Sequence, residues 1–348
     1  MKPSLGLLML AATLLSTPIT GHAEELVFAS WGGAYQDAIR KAWIEPFTKE
    51  TGIKVTEDTG PETAKIKAMV DTKSVSWDVV TAGGSGLMLG VKQGLFERIT
   101  PEMVDESQVF PGARSEYGVP SEIFSTLIGY STKAFPAGKP HPASFADFWD
   151  VQKFPGKRSL PDKPSTVLEA ALLADGVAPS EVYPTLSTPA GLQRALNKVR
   201  ALRSNVAVWW NSGAQPVQAV GSGDAVMALG WNGRFQAGMD DGLPIAMAWE
   251  QSVPQVGYFM IVKGAPGKDA AVKFLRFMST AAAQSRFSQY VAYGPTRPDA
   301  VAMIDPKLID RLPSTTARLK DALFMDIGWW AEHGQEATEK YIAVMQGG

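Results

Sequence analysis

Val119-Pro-Ser-Glu-Ile-Phe-Ser-Thr-Leu-Ile-Gly-Tyr-Ser131 is one extended run, rich in β-branched and aromatic residues and following directly on Gly118. At more than twice the usual strand of roughly 5–6 residues, it is long enough to leave one domain and enter another. Before it, strands and helices alternate. Glu25–Ser30, Ile53–Glu57 and Trp77–Ala82 read as strands. Ala34–Glu50 has helical spacing through Ile39, Trp43, Ile44 and Phe47, with Gly52 as its stop. Glu62–Asp71 places Ile66, Met69 and Val70 on one helical face, and Gly83-Gly84-Ser85-Gly86 turns into a helix ending at Gln93. Such alternation builds a parallel sheet with right-handed crossovers. Ligands on such sheets sit beyond the carboxyl ends of the strands, where Ser30–Tyr35 and Gly83–Gly86 fall.

After the long run, Pro136–Pro164 reads as irregular. Helices follow at Val167–Ala174 and Pro189–Arg203, then a strand at Val206–Trp210, a helix at Ala214–Gly221 and a strand at Ala225–Gly230. Ile245–Trp249 and Tyr258–Val262 read as two further strands, the second returning to the first domain. Helices at Lys268–Ser279 and Ala281–Gln289 precede a helical tail, Thr315–Met345. This order predicts two α/β lobes, 24–130 plus 258–314 and 131–257 plus 315–348. They are joined near Leu127–Ser131 and Val256–Val262, with a hinge and a ligand cleft between them.

Composition narrows the function. The 348 residues carry 33 Lys+Arg against 35 Asp+Glu, for a net charge of −2, with three His and no Cys. No cysteine means no disulfide, thiolate metal site, cysteine nucleophile or acylated-cysteine anchor. A slightly acidic chain without a basic run argues against nucleic acid. His22, His141 and His333 leave little room for a histidine metal site or catalytic triad. No nucleophile–base constellation stands out, so the reading is a non-enzyme with no metal and no cofactor. Residues 1–23 read as a signal peptide: Lys2, an apolar stretch from Leu5 to Leu15, then Gly21-His22-Ala23 with cleavage after Ala23. No later stretch approaches roughly 18 apolar residues, so the expected location is the periplasm.

Several short motifs now fall in order: Phe28-Ala-Ser-Trp-Gly-Gly-Ala-Tyr35, Ser144-Phe-Ala-Asp-Phe-Trp-Asp150 with Phe154-Pro-Gly-Lys-Arg158, Trp209-Trp-Asn-Ser-Gly-Ala-Gln215, Gly230-Trp-Asn-Gly-Arg234, Val262-Lys-Gly-Ala-Pro266 and Tyr293-Gly-Pro-Thr296. Together they resemble the solute-binding proteins of ABC importers, in the branch that binds spermidine, putrescine, 4-aminobutyrate and relatives. The resemblance implies a two-lobed, type II-like periplasmic-binding-protein fold. It also implies a monomer that captures a small polar solute and delivers it to ABC permease subunits in the inner membrane. A periplasmic sensor feeding a receptor is the alternative role.

Candidate ligand-binding residues follow from position and from this resemblance. Trp31 stands just after the first strand beside Gly32 and Gly33, which let backbone approach a ligand; the resemblance places a stacking aromatic there, and core packing is the competing reading. Tyr35 lies on the first helical turn. Ser85 bonds a ligand by resemblance, or merely closes a tight turn. Glu122, inside an apolar run, needs a partner or water: a ligand ammonium, or solvent at the hinge. Of Trp209 and Trp210 at most one faces the cleft, and Trp210 is favoured beside Asn211 and Ser212, with Gln215 as a candidate amide contact. Trp231 and Arg234 form the best pair, since an arginine fork fits a carboxylate or phosphonate; a surface salt bridge to Asp240 or Asp241 is the other reading. The diamine binders of the branch hold an acid where this chain has Arg234, and commonly another at Gly257. Glu250, Gln255 or Glu122 would compensate, or the ligand has no cationic end. The expected ligand is an amino-acid-like amine bearing a carboxylate or phosphonate, with a polyamine as alternative.

Overall fold

A computed structural model describes residues 25–319 and 322–347; the expected signal peptide lies outside these residues. Eight strands, β1 (Glu25–Ser30), β2 (Lys54–Thr59), β3 (Val79–Gly83), β4 (Val119–Ser131), β5 (Arg158–Pro161), β6 (Val206–Trp210), β7 (Met227–Trp231) and β8 (Ile245–Ile261), pair in the order β2-β1-β3-β8-β4-β7-β5-β6. A parallel trio lies at each end, β2-β1-β3 and β7-β5-β6, as the strand–helix alternation predicts. Between them β8 and β4 run antiparallel and belong to both ends.

The register shows where one end gives way to the other. β3 pairs with β8 only over Gly257–Ile261, and β7 pairs with β4 only over Thr126–Tyr130. Between these stretches the β4–β8 ladder breaks: Thr126 faces Val253 but Ile128 faces Ala248, so Leu127 stands opposite the excursion from Trp249 to Ser252. Ile245–Trp249 and Tyr258–Val262, expected as separate strands, thus belong to one strand with a bulge. Glu250, Gln251 and Ser252 are the bulge and Pro254 lies on its flank, where proline is tolerated because the ladder is already irregular.

Among the described residues the two largest of four hydrophobic core clusters flank the break. One gathers Leu26, Phe28, Trp43, Phe47, Phe259, Phe274 and Phe287, with Trp43 stacked on Phe287 at 4.2 Å. The other gathers Phe145, Leu160, Leu172, Leu196, Trp330 and Tyr341. Each closes one lobe, giving the expected two-lobed α/β architecture. Pro136–Pro164 is more ordered than expected. Ser144 and Asp147 form a capping box on the Phe145–Trp149 helix. Buried Arg158 donates to the carbonyls of Phe148, Gly156 and Phe154, so carbonyls that would be unsatisfied in an irregular chain are held by one side chain. The tail packs on the second of these cores. Met325 donates its N–H to Pro254 O, and Ile327 opens a helix, Ile327–Gln346, anchored by Trp330 Nε1 on Glu169 Oε1 at 2.7 Å. Among the described residues no helix is long and apolar enough to cross a membrane.

Candidate functional site

The break in β4–β8 sets the site. Side chains alternate across a strand, so Glu122 and Phe124 share a face of β4, and their partners Gly257 and Gln255 share it from β8. Onto this face come the ends of two parallel trios: β1 runs into Trp31-Gly32-Gly33 and the Gly33–Ile39 helix, and β7 runs into Trp231 and the Asn232–Asp240 helix. Asn232 ties them together. Its Oδ1 accepts from Ser125 N at 2.9 Å, and its Nδ2 donates to Ala292 O, holding the turn that presents Trp231 and Arg234.

Arg234 reaches across to the other lobe. Its Nη2 donates to Gly32 O at 3.3 Å, and Nη1 lies 3.1 Å from where a Cβ on Gly33 would stand. Gly32 and Gly33 both have positive φ, 67° and 58°, so the loop that meets the guanidinium is one glycine adopts at little cost. Nε of Arg234 is buried without a partner. The competing salt-bridge reading is not what the structure shows: Asp240 pairs instead with Arg311 at 3.2 Å and with Gln236, and no carboxylate among the described residues pairs with Arg234.

An aromatic wall links Arg234 to an acid. Trp231 stands edge-on to Trp210 at 5.4 Å and to Phe124 at 6.2 Å; Phe124 lies 5.6 Å from Tyr293, and Tyr293 6.1 Å from Tyr35. The Tyr35 hydroxyl donates to Glu122 Oε1 at 2.8 Å and lies 3.3 Å from Thr81 Oγ1. Glu122 is 3% exposed, and its Oε2 is buried with no partner. Burial pushes its carboxyl up to about 7 against the pull of the Ser121 and Tyr35 hydroxyls. Burial likewise raises Tyr35 and Tyr293, with Arg234 pulling Tyr293 the other way.

The structure therefore gathers Gly33, Tyr35, Glu122, Trp231 and Arg234 of the expected residues, with Trp210 behind Trp231. Gln255 sits across from Phe124 and donates to Thr126 Oγ1 at 3.1 Å. Trp31 stands at the rim, 43% exposed. The other candidates have partners of their own. Trp210 is buried, its Nε1 on Leu229 O at 2.9 Å, while Trp209 packs on Tyr341. Gln215 Oε1 accepts from the N–H groups of Asn211 and Ser212, capping its own helix start. Ser85 follows Gly84, whose Cα is covered by Ile327 of the tail. Glu250 is exposed near Tyr130. Phe124, Tyr293, Asn232 and Thr81 escaped sequence reasoning; the first is signalled only by its spacing of two from Glu122.

Gly257 is the glycine this arrangement requires. A Cβ there would lie 2.2 Å from Glu122 Oε1 and 2.6 Å from its Cδ. Gly257→Ala must displace the carboxyl or the strand, and overpacking of this kind typically costs about 1–3 kcal/mol. Urea unfolding should show that loss; a variant as stable as the parent would mean that Glu122 swings aside freely.

Among the described residues no cluster of three or more His, Asp or Glu is placed to hold a metal ion. The arrangement offers an acid, a guanidinium and a stack of rings, which suits binding of a solute with two polar ends.

Comparison with known proteins supports the same class. The sequence profile of bacterial extracellular solute-binding proteins matches residues 42–316. The chain is 39% identical over 325 residues to the gamma-aminobutyric acid-binding protein of Pseudomonas aeruginosa, covering 92% of this chain and 91% of that one. It matches the structure of MotA from A. tumefaciens B6 in complex with glucopine at a TM-score of 0.87 and 35% identity, over 92% of this chain and 99% of that one. Against the spermidine/putrescine-binding periplasmic protein of Escherichia coli the identity is 23%, over 86% of each chain. These likenesses bear out the polyamine and 4-aminobutyrate branch that the motifs resemble. The chain belongs to the bacterial extracellular solute-binding proteins.

Proposed function

We propose that this protein is exported, cleaved after Ala23, and captures in the periplasm a small amino-acid-like solute for delivery to ABC permease subunits. The lobes are 24–130 plus 258–314 and 131–257 plus 315–348, and the working form is a monomer. One observation carries the ligand class: Arg234 spans the lobes with a buried Nε that has no partner and no carboxylate beside it. A carboxylate or phosphonate takes that fork, and the free oxygen of Glu122 takes an ammonium. The relatives agree in kind, one being named for gamma-aminobutyric acid and another solved with glucopine.

Polyamine capture, the alternative, sets a second ammonium against Arg234, where like charge in a closed cleft is unfavourable. Native mass spectrometry of solute carried through purification identifies the ligand directly. Calorimetry should then rank 4-aminobutyrate above putrescine, and tighter putrescine binding would overturn the ligand class. Since only differential affinity shifts a two-state equilibrium, a ligand touching both lobes must compact the protein. Small-angle scattering should show a smaller radius at saturation; an unchanged radius would remove the hinge.

A further inference from the structure

Glu122 is buried more completely than an ordinary ion-pair anchor. Tyr35 packs on it from the first helix, Thr81 stands behind Tyr35 on β3, Gly257 faces it from β8 and Ser121 adjoins it on β4. Tyr293 approaches from the segment after the Ala281–Phe287 helix, and the cation beside that shell, Arg234, acts on Tyr293. No cation among the described residues pairs with Glu122. Two hydroxyls act on it, Tyr35 through a bond to Oε1 and Ser121 from the adjoining position, and Oε2 has no hydrogen-bond partner. A carboxylate held this way is uncompensated, so the empty site favours the neutral acid.

We infer that Glu122 receives the ammonium of the solute and gives up its own proton in doing so, so that capture of a cationic-ended solute releases one proton. This rests on the ligand reading above. The carboxyl O–H bond breaks, its proton leaves to buffer, and the carboxylate accepts N–H bonds from the arriving ammonium. The net charge of this end of the pocket is zero before and after, which is why a buried site tolerates the exchange.

Because burial holds the empty carboxyl up to about 7, linkage predicts that release approaches one proton per ligand well below that pH and falls toward none well above it, with affinity rising as pH rises through the range. The test is calorimetry with 4-aminobutyrate as probe, at several pH values, in buffers of small and large ionisation enthalpy, on the parent and on the isosteric Glu122→Gln. Infrared difference spectra of the two proteins without probe follow the protonated carboxyl directly. The expected result is proton release by the parent, none by Glu122→Gln, and a carboxyl band that disappears on adding probe. Binding without release, or equal release by both proteins, overturns the inference and leaves the ligand reading standing. Failure of 4-aminobutyrate to bind at any pH removes both.

Discussion

Replacing Arg234 with alanine weakens capture of an acid-bearing solute by about 2–4 kcal/mol, roughly 30- to 1,000-fold in Kd, because removing one partner of a desolvated charge pair leaves the other without compensation. The guanidinium meets a backbone carbonyl at 3.3 Å and the Tyr293 hydroxyl and keeps a buried Nε free, and no carboxylate among the described residues depends on it. The melting temperature without ligand should stay near the parent's. Arg234→Lys keeps the charge but loses the planar fork, and falls between. Trp31→Phe keeps an aromatic face at an exposed rim, and its loss should stay below about 1 kcal/mol. Titration of the three variants with the ligand found by mass spectrometry decides the order. If Arg234→Ala binds as the parent does, the guanidinium serves only to hold the Gly32 loop, and the acid-bearing ligand class goes with it.

What made Arg234 legible and Tyr293 not is sequence distance. Trp231 to Arg234 is a local signal: a strand ends, Asn232 and Gly233 turn, and a helix begins, so the pair lands at a strand's carboxyl end wherever the strand itself lies. The parallel trios were legible for the same reason, since alternation of period 2 and period 3.6 is local. The Trp249–Ser252 excursion was not. It exists because β4 and β8 are shared by two ends of the sheet, and that is a property of long-range pairing. Tyr293 and Phe124 meet only through this pairing, and Gly257 has its meaning only because Glu122 lies opposite. Alternation said that Trp209 and Trp210 part company; their partners, Tyr341 for one and the Leu229 carbonyl and Trp231 for the other, are far off in sequence. Gln215 has a local role that its position did not announce: a polar side chain near a helix start competes for backbone N–H groups, and its Oε1 takes those of Asn211 and Ser212.

Glu122→Gln should make the empty protein more stable at pH 8 while weakening its hold on a cationic-ended solute. The folded protein holds this carboxyl near 7 against an ordinary value of 4.5. Below about pH 4.5 the folded and unfolded forms both carry the proton, and Glu122 contributes no difference. Between the two values the folded form binds the proton and the unfolded form releases it, so stability falls as pH rises. Above about 7 the full cost is present, roughly 3 kcal/mol for a shift of this size at 1.36 kcal/mol per unit. Glutamine fills the same volume, can still accept from Tyr35 and has no charge to desolvate, so that cost is absent in the variant. Glu106 and Glu169 are also raised by burial, but they are present in both proteins and cancel in the comparison. Urea unfolding of the pair between pH 5 and 8 should therefore show the variant's advantage growing with pH, by up to about 3 kcal/mol. A gap that stays flat would mean that Glu122 ionises in contact with water, and the proton exchange argued for the site would lose its physical basis. A gap that opens as described makes Glu122 a residue retained for its ligand at the expense of the fold, the trade-off expected where function needs a buried charge.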